Sequence, residues 1–141
     1  MNIYQIKISR FASYKASRSN GQVNLWNWLL RKNEHTSTVY RIRSMLDEGE
    51  IRSMKIGLPA VTISCICEKR KSNEILEHTG LICIDIDGKD NPDITDMEQL
   101  KSRLLALEYV LYCGLSVSGK GLFCIIPIAE PMMHRQHFYA L

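Results

Sequence analysis

No apolar run in this chain is long enough to cross a bilayer, which excludes a helical membrane span. The amino terminus, Met1-Asn2-Ile3-Tyr4-Gln5-Ile6-Lys7, lacks the pattern of a secretory signal. A cytoplasmic protein is therefore expected. There is no internal repeat and no low-complexity linker. The five cysteines, Cys65, Cys67, Cys83, Cys113 and Cys124, are odd in number and lie in apolar, strand-like segments. Without a secretion signal this argues against a disulfide framework and for buried thiols. Acid is missing altogether from residues 1–33, where Lys7, Arg10, Lys15, Arg18, Arg31 and Lys32 give a local charge of +6. The whole chain carries +3, so the remaining residues are net acidic. A basic amino-terminal third beside an acidic centre suits a polyanion held by the first and processed at the second. A solvated basic surface would give the same count.

What is present is a composition, 45% hydrophobic and 23% charged over 141 residues, that fits one globular domain. The most informative segment is Gly80-Leu81-Ile82-Cys83-Ile84-Asp85-Ile86-Asp87-Gly88. It reads as an apolar strand that runs out at Gly88. Strand side chains alternate between faces, so Asp85 and Asp87 share one face and Ile84 and Ile86 the other. Two anions on one face repel. A divalent cation of the Mg²⁺ or Mn²⁺ kind would resolve the conflict, because hard cations take carboxylate oxygens. Paired carboxylates of this kind serve phosphoryl-transfer chemistry. A strand edge that merely exits into solvent would carry the same residues.

The rest of the chain reads as β-α-α-β-β-α-β-β-α. Residues 2–9 alternate as a strand, and residues 12–24 form a Ser/Asn-rich loop. Residues 23–32 read as a helix around Trp26 and Trp28, rings that suit core packing or base stacking. A second helix from about Ser37 carries Arg41 and Arg43 on its exposed side and stops at Gly49. Residues 60–67 read as one strand, and residues 74–78 are ambiguous. Thr95 and Glu98 have capping-box spacing ahead of Met97, Leu100, Leu104 and Leu107. Two strands, 109–113 and 121–128, precede a helix from Met132. Strands that follow one another without an intervening helix predict an α+β fold with antiparallel pairs. The chain ends at Leu141 inside an apparent helix, so residues 1–141 read as a single domain at the amino-terminal end of a longer protein.

Between the last two strands lies Gly114-Leu115-Ser116-Val117-Ser118-Gly119-Lys120-Gly121. It satisfies G-x-x-x-x-G-K but is not a P-loop. Gly121 stands where Ser or Thr would ligate Mg²⁺, and a strand follows where a helix is needed. Ser116, Ser118, Gly119, Lys120 and Gly121 nevertheless form a candidate phosphate site, with hydroxyls, a positive charge and glycines that permit close backbone approach. A tight hairpin would need the same Gly and Ser residues. His134 and His137, at i and i+3, read as a solvated helix face.

The carboxylate strand, the helix and the Ser-x-Ser-Gly-x-Gly turn together resemble the archaeo-eukaryotic primase superfamily. The closer likeness is to the VirE-type N-terminal domain of bacterial mobile-element proteins. It rests on Leu58-Pro59-Ala60-Val61-Thr62, His78 to Asp87, and Leu115 to Gly121, within residues 55–141. The resemblance implies an RRM-like, primase-polymerase-like sheet with flanking helices. It implies a metal-dependent nucleotidyltransferase site with Asp85 and Asp87 holding Mg²⁺ or Mn²⁺ and Ser118, Gly119 and Gly121 contacting nucleotide. It further implies DNA and nucleoside triphosphates as partners, with a carboxy-terminal domain or helicase-type partner outside this chain. Arg10, Lys15 and Arg18 would track the nucleic acid. Two departures stand out: Phe123 occupies the position of that superfamily's His, and a third acid has no clear counterpart. The alternative is a non-catalytic module that binds nucleic acid or a partner.

Overall fold

A computed structural model describes residues 2–141. Antiparallel sheets and flanking helices make this an α+β fold, as the uninterrupted strand successions predict. Among the described residues the strands fall into three small sheets. In the first, β1 (Lys7–Phe11) lies between β2 (Gly21–Asn24) and β3 (Ala60–Thr62). The second is the hairpin of β4 (Cys65–Cys67) and β5 (Ile75–His78). In the third, β8 (Gly121–Pro127) lies between β6 (Leu81–Asp87) and β7 (Tyr112–Leu115). The helices are α1 (Leu25–Leu30), α2 (Thr36–Ser44), α3 (Glu48–Ile56), α4 (Met97–Leu105) and α5 (His134–Ala140).

Several boundaries differ from those expected, each for a local reason. Val23 belongs to β2 because it pairs with Ile8, and α1 begins only at Leu25, where Asn24 caps it by accepting from the Asn27 amide. Gly49 does not end a helix. It sits in the first turn of α3, which Asp47 starts by accepting from the Glu50 amide. Asp96, not Thr95, caps α4 through the Gln99 amide. The single strand expected over residues 60–67 breaks between Thr62 and Cys65, and its two halves join different sheets. Ser9 ties those sheets together. Its buried hydroxyl donates to the Cys67 carbonyl at 3.0 Å and accepts from the Cys67 amide at 2.9 Å, so burying it leaves no polar group unpaired.

The third sheet positions the candidate site. Its register pairs Asp85 with Phe123 and Asp87 with Gly121, while Phe123 pairs with Gly114 on the other side. Cross-strand partners share a face, so Leu81, Cys83, Asp85 and Asp87 project from one side of the sheet with Ile125, Phe123 and Tyr112. On that side Leu81 and Ile125 pack with Ile6, Ile8 and Leu25 in a fully buried cluster. The opposite side carries Cys113, Leu122 and Cys124, covered by Met97, Leu100 and Leu104 of α4. A third cluster, Ile42, Ile51 and Leu58, joins α2 to α3 and also receives Val117 from the β7–β8 turn. All five cysteines are free thiols, and Cys67, Cys113 and Cys124 are buried.

Candidate functional site

Strand alternation delivers Asp85 and Asp87 to one face, as the sequence predicts, and both are exposed. They line a cleft of about 790 Å³. The same cleft is lined by Ser116, Ser118 and Lys120 of the β7–β8 turn, by Arg43 of α2, and by the rings of Tyr14, Trp28, Tyr40, Tyr112 and Phe123. The acid pair and the turn, about thirty residues apart in sequence, are thus brought together by the pairing of β6 with β8. Two glycines make the junction possible. A Cβ on Gly121 would lie 2.6 Å from the Ile86 carbonyl oxygen, and one on Gly88 would lie 2.3 Å from that of Lys120. The Gly88 amide donates to the same Lys120 carbonyl at 3.0 Å. Close backbone approach, rather than torsional freedom, is what these positions require.

Asp87 is already oriented. Its Oδ1 accepts from the Lys89 amide at 3.0 Å, and its backbone carbonyl accepts from the Asn91 side-chain amide at 2.8 Å. Asp85 faces Phe123 across the ladder, and Phe123 leans on Tyr112 with ring centroids 5.6 Å apart. Cys83 shares this face. Burial, and then the neighbouring Asp85 charge, push its thiol up to about 12, so the free side chain is a neutral thiol at neutral pH. Burial likewise raises the Tyr112 phenol.

The turn itself is a closed hairpin. Ser116 donates its amide to the Gly121 carbonyl at 2.8 Å, and Gly119 donates to the Ser116 carbonyl at 2.9 Å. Gly119 has φ of +74°, the left-handed region that favours glycine. With these amides taken, the turn offers an anion its side chains more than a backbone nest. The Ser116 and Ser118 hydroxyls lie 3.3 Å apart. Arg43 buttresses them by donating Nη2 to the Ser116 carbonyl at 3.0 Å, and its stem lies against Gly119. Sequence reasoning placed Arg43 only on an exposed helix face. Seventy-two and more residues separate it from the turn, and no local pattern signals the contact. Lys120 Nζ pairs with Glu48, a surface pair of little net worth that an incoming anion can displace.

The other expected site residues lie elsewhere. Arg10, Lys15 and Arg18 do not line the cleft. Arg10 is half-buried on β1, while Lys15 and Arg18 are exposed on the loop before β2. Trp26 donates Nε1 to the Ile3 carbonyl at 2.7 Å, a packing role, whereas Trp28 reaches the cleft wall. The histidines of α5 are not a solvated face. His134 stacks on His78 of β5 with centroids 5.6 Å apart, and His78 Nδ1, His134 Nε2 and His137 Nε2 are buried without hydrogen-bond partners. Among the described residues no group of three or more His, Cys, Asp or Glu is disposed to hold a metal ion. The acid pair nonetheless suits a hard cation: two carboxylates on one strand face, open to the cleft, leave the remaining positions to water or ligand oxygens. No helix among the described residues is long and apolar enough to cross a membrane.

The family model for the BT4734-like N-terminal domain matches residues 53–139, most of the chain, and the chain belongs to that family. This corrects the resemblance to the VirE-type domain and to the primase superfamily, which is a different assignment for the same strand, turn and helices. No curated protein and no solved structure matches the chain.

Proposed function

We propose that this member of the BT4734-like N-terminal domain family binds a nucleotide phosphate together with Mg²⁺ or Mn²⁺ in the β6–β8 cleft, as part of a nucleic-acid-processing protein. The observation that carries the reading is the convergence on one cleft of Asp85 and Asp87 with Ser116, Ser118, Lys120 and Arg43. Carboxylates alone would repel a phosphate, and hydroxyls and cations alone would not need the acids. The two sets become compatible when a divalent cation stands between them. Asp85 and Asp87 would hold that cation, which when bound neutralises phosphate charge and favours in-line displacement at phosphorus.

The remaining roles belong to the chain itself. Ser116 and Ser118 donate hydroxyl hydrogen bonds to phosphate oxygens, as Ser side chains do in phosphate sites. Lys120 exchanges Glu48 for the phosphate. Arg43 fixes the turn and lines the cleft beside it, adding positive charge. Tyr14, Tyr40 and Trp28 offer faces on which a base can stack. Phe123, directly opposite Asp85, moves no proton, which favours the second reading, a site that binds nucleotide without turning it over.

The test is equilibrium binding of a nucleoside triphosphate with and without Mg²⁺. Affinity should depend on the cation, weaken in Ser116→Ala/Ser118→Ala, and lose its cation dependence in Asp85→Asn/Asp87→Asn. Nucleotide binding indifferent to all three changes sinks the proposal. A companion assay of labelled-nucleotide incorporation separates the two readings, and little transfer is expected from residues 1–141 alone.

A further inference from the structure

Two segments far apart in sequence meet next to Tyr14, whose carbonyl accepts from Arg70. The loop before β2 and the connector after β4 are stitched by Ser19 N to Glu68 O at 2.8 Å, Arg70 N to Ser17 O at 3.0 Å, and an isolated antiparallel bridge between Arg18 and Lys69. The stitching sets Arg18 opposite Lys69 and brings the loop that carries Lys15 beside the connector that carries Arg70 and Lys71. Lys15 and Arg18 belong to the basic amino-terminal third, whereas Lys69, Arg70 and Lys71 lie some fifty residues further along the chain. Nothing in the linear order joins them.

The arrangement is costly as it stands. Residues directly opposite across an antiparallel bridge project together, and like charges so placed destabilise the pair. Lys69 relieves part of this by pairing with Glu74 at 3.2 Å. Among the described residues Lys15, Arg18, Arg70 and Lys71 have no carboxylate partner, and the nearby Glu68 is exposed and pairs with none of them. Arg70 makes two contacts. Its guanidinium lies 4.2 Å over the buried Phe11 ring, and Nη1 donates to the Tyr14 carbonyl at 2.7 Å. Tyr14 is 61% exposed and also lines the cleft.

We infer that this surface binds the phosphate backbone of single-stranded nucleic acid, with Tyr14 as a stacking ring between the patch and the cleft. Charge, spacing and neighbours agree. Ser13, Ser17 and Ser19 supply hydroxyls among the cations, a mixture that suits phosphate oxygens along a polymer. An exposed ring beside a cationic track suits unstacked bases. A membrane surface fits less well, because the patch is two hydrogen-bonded loops without the apolar helix face that inserts between lipids. The inference extends the nucleic-acid reading above to a surface outside the cleft, and its test can fail separately from that reading.

The experiment is fluorescence anisotropy of a labelled single-stranded oligothymidylate across a series of KCl concentrations, in EDTA, with folding checked by circular dichroism. Arg18→Glu/Lys71→Glu should weaken binding by about tenfold or more at low salt and reduce the steepness of the log–log salt dependence by about 1.4, the loss of two phosphate contacts. Arg18→Gln/Lys71→Gln loses the same two contacts and should reduce the slope by the same amount with a smaller loss of affinity, which guards against a fold disturbed by charge reversal. Equal affinity and slope in the wild type and both Arg18/Lys71 variants would overturn the inference. So would binding to phosphatidylserine vesicles without binding to the oligonucleotide. Oligonucleotide binding that is absent in EDTA and appears only with Mg²⁺ and an intact Asp85/Asp87 pair would assign the polymer to the cleft instead.

Discussion

The two faces of the β6–β8–β7 sheet are built from alternate residues of the same strands, yet they do opposite work. One face buries Leu122, Cys113 and Cys124 under α4 and is closed. The other begins as core, with Leu81 and Ile125 fully buried, and ends as an open cleft with Asp85 and Asp87 exposed. The change along that second face takes only two residue pairs. It occurs because α1 and the first sheet cover the Leu81 end and leave the Asp87 end to the turn and α2. A strand can thus be anchored by one face and by one end while its remaining positions are free to carry charge.

Substitutions should divide accordingly. The largest effect belongs to the closed face: Leu122→Ala, 1% exposed in the wild type, should cost about 2–5 kcal/mol in urea unfolding, through lost burial and the cavity left behind. Next comes the junction between the faces. Gly121→Ala places a Cβ 2.6 Å from the Ile86 carbonyl oxygen and should cost about 1–3 kcal/mol, with the β6–β8 pairing pushed apart at the site. An unfolding midpoint unchanged in Gly121→Ala would show that the close crossing is not needed.

A smaller, pH-dependent effect belongs to the edge where α5 packs on β6. Burial, then the neighbouring His78 and His137, hold His134 below its ordinary value of 6.5. A depressed value means the folded state prefers the neutral ring. His134 therefore contributes stability above 6.5 that is lost as pH falls through its lowered value. The loss of stability on acidification should be less steep in His134→Gln than in wild type. The smallest stability effect belongs to the open face, where Asp85→Asn should change unfolding by no more than about 0.5 kcal/mol, as expected of an exposed side chain. A large destabilisation there would make Asp85 a structural residue and erase the contrast between the faces.

Much of this was legible in the sequence. The period-two pattern of residues 80–87 fixed the strand and the shared face of the acid pair, because alternation alone decides them, whereas the exposure of that pair depends on which elements cover each end of the face. The α+β class followed from strand order. Other features depended on partners distant in the chain. Val23 became strand because Ile8 pairs with it, and residues 60–67 split because each half found a different sheet. Gly49 misled because a nearby aspartate cap outweighed a glycine's tendency to end helices. Arg43 was invisible as a site residue since its role is a contact made by tertiary folding. Arg10, Lys15 and Arg18 were grouped by charge alone, and the fold places them away from the cleft and joins two of them to Lys69, Arg70 and Lys71. The motif conjunction pointed to the wrong family, because a carboxylate strand and a Gly/Ser turn are short local patterns that do not by themselves specify one.

On the proposed reading the open face holds a divalent cation through Asp85 and Asp87 while the closed face only supports it. The most direct measurement is a Mn²⁺ titration followed by the paramagnetic resonance signal of the free ion, on wild type, Asp85→Asn/Asp87→Asn and Cys113→Ser. Weak binding is predicted in wild type and in Cys113→Ser, whose altered side chain lies on the closed face, and none in the double Asn variant. Binding of equal strength in all three proteins would contradict the account.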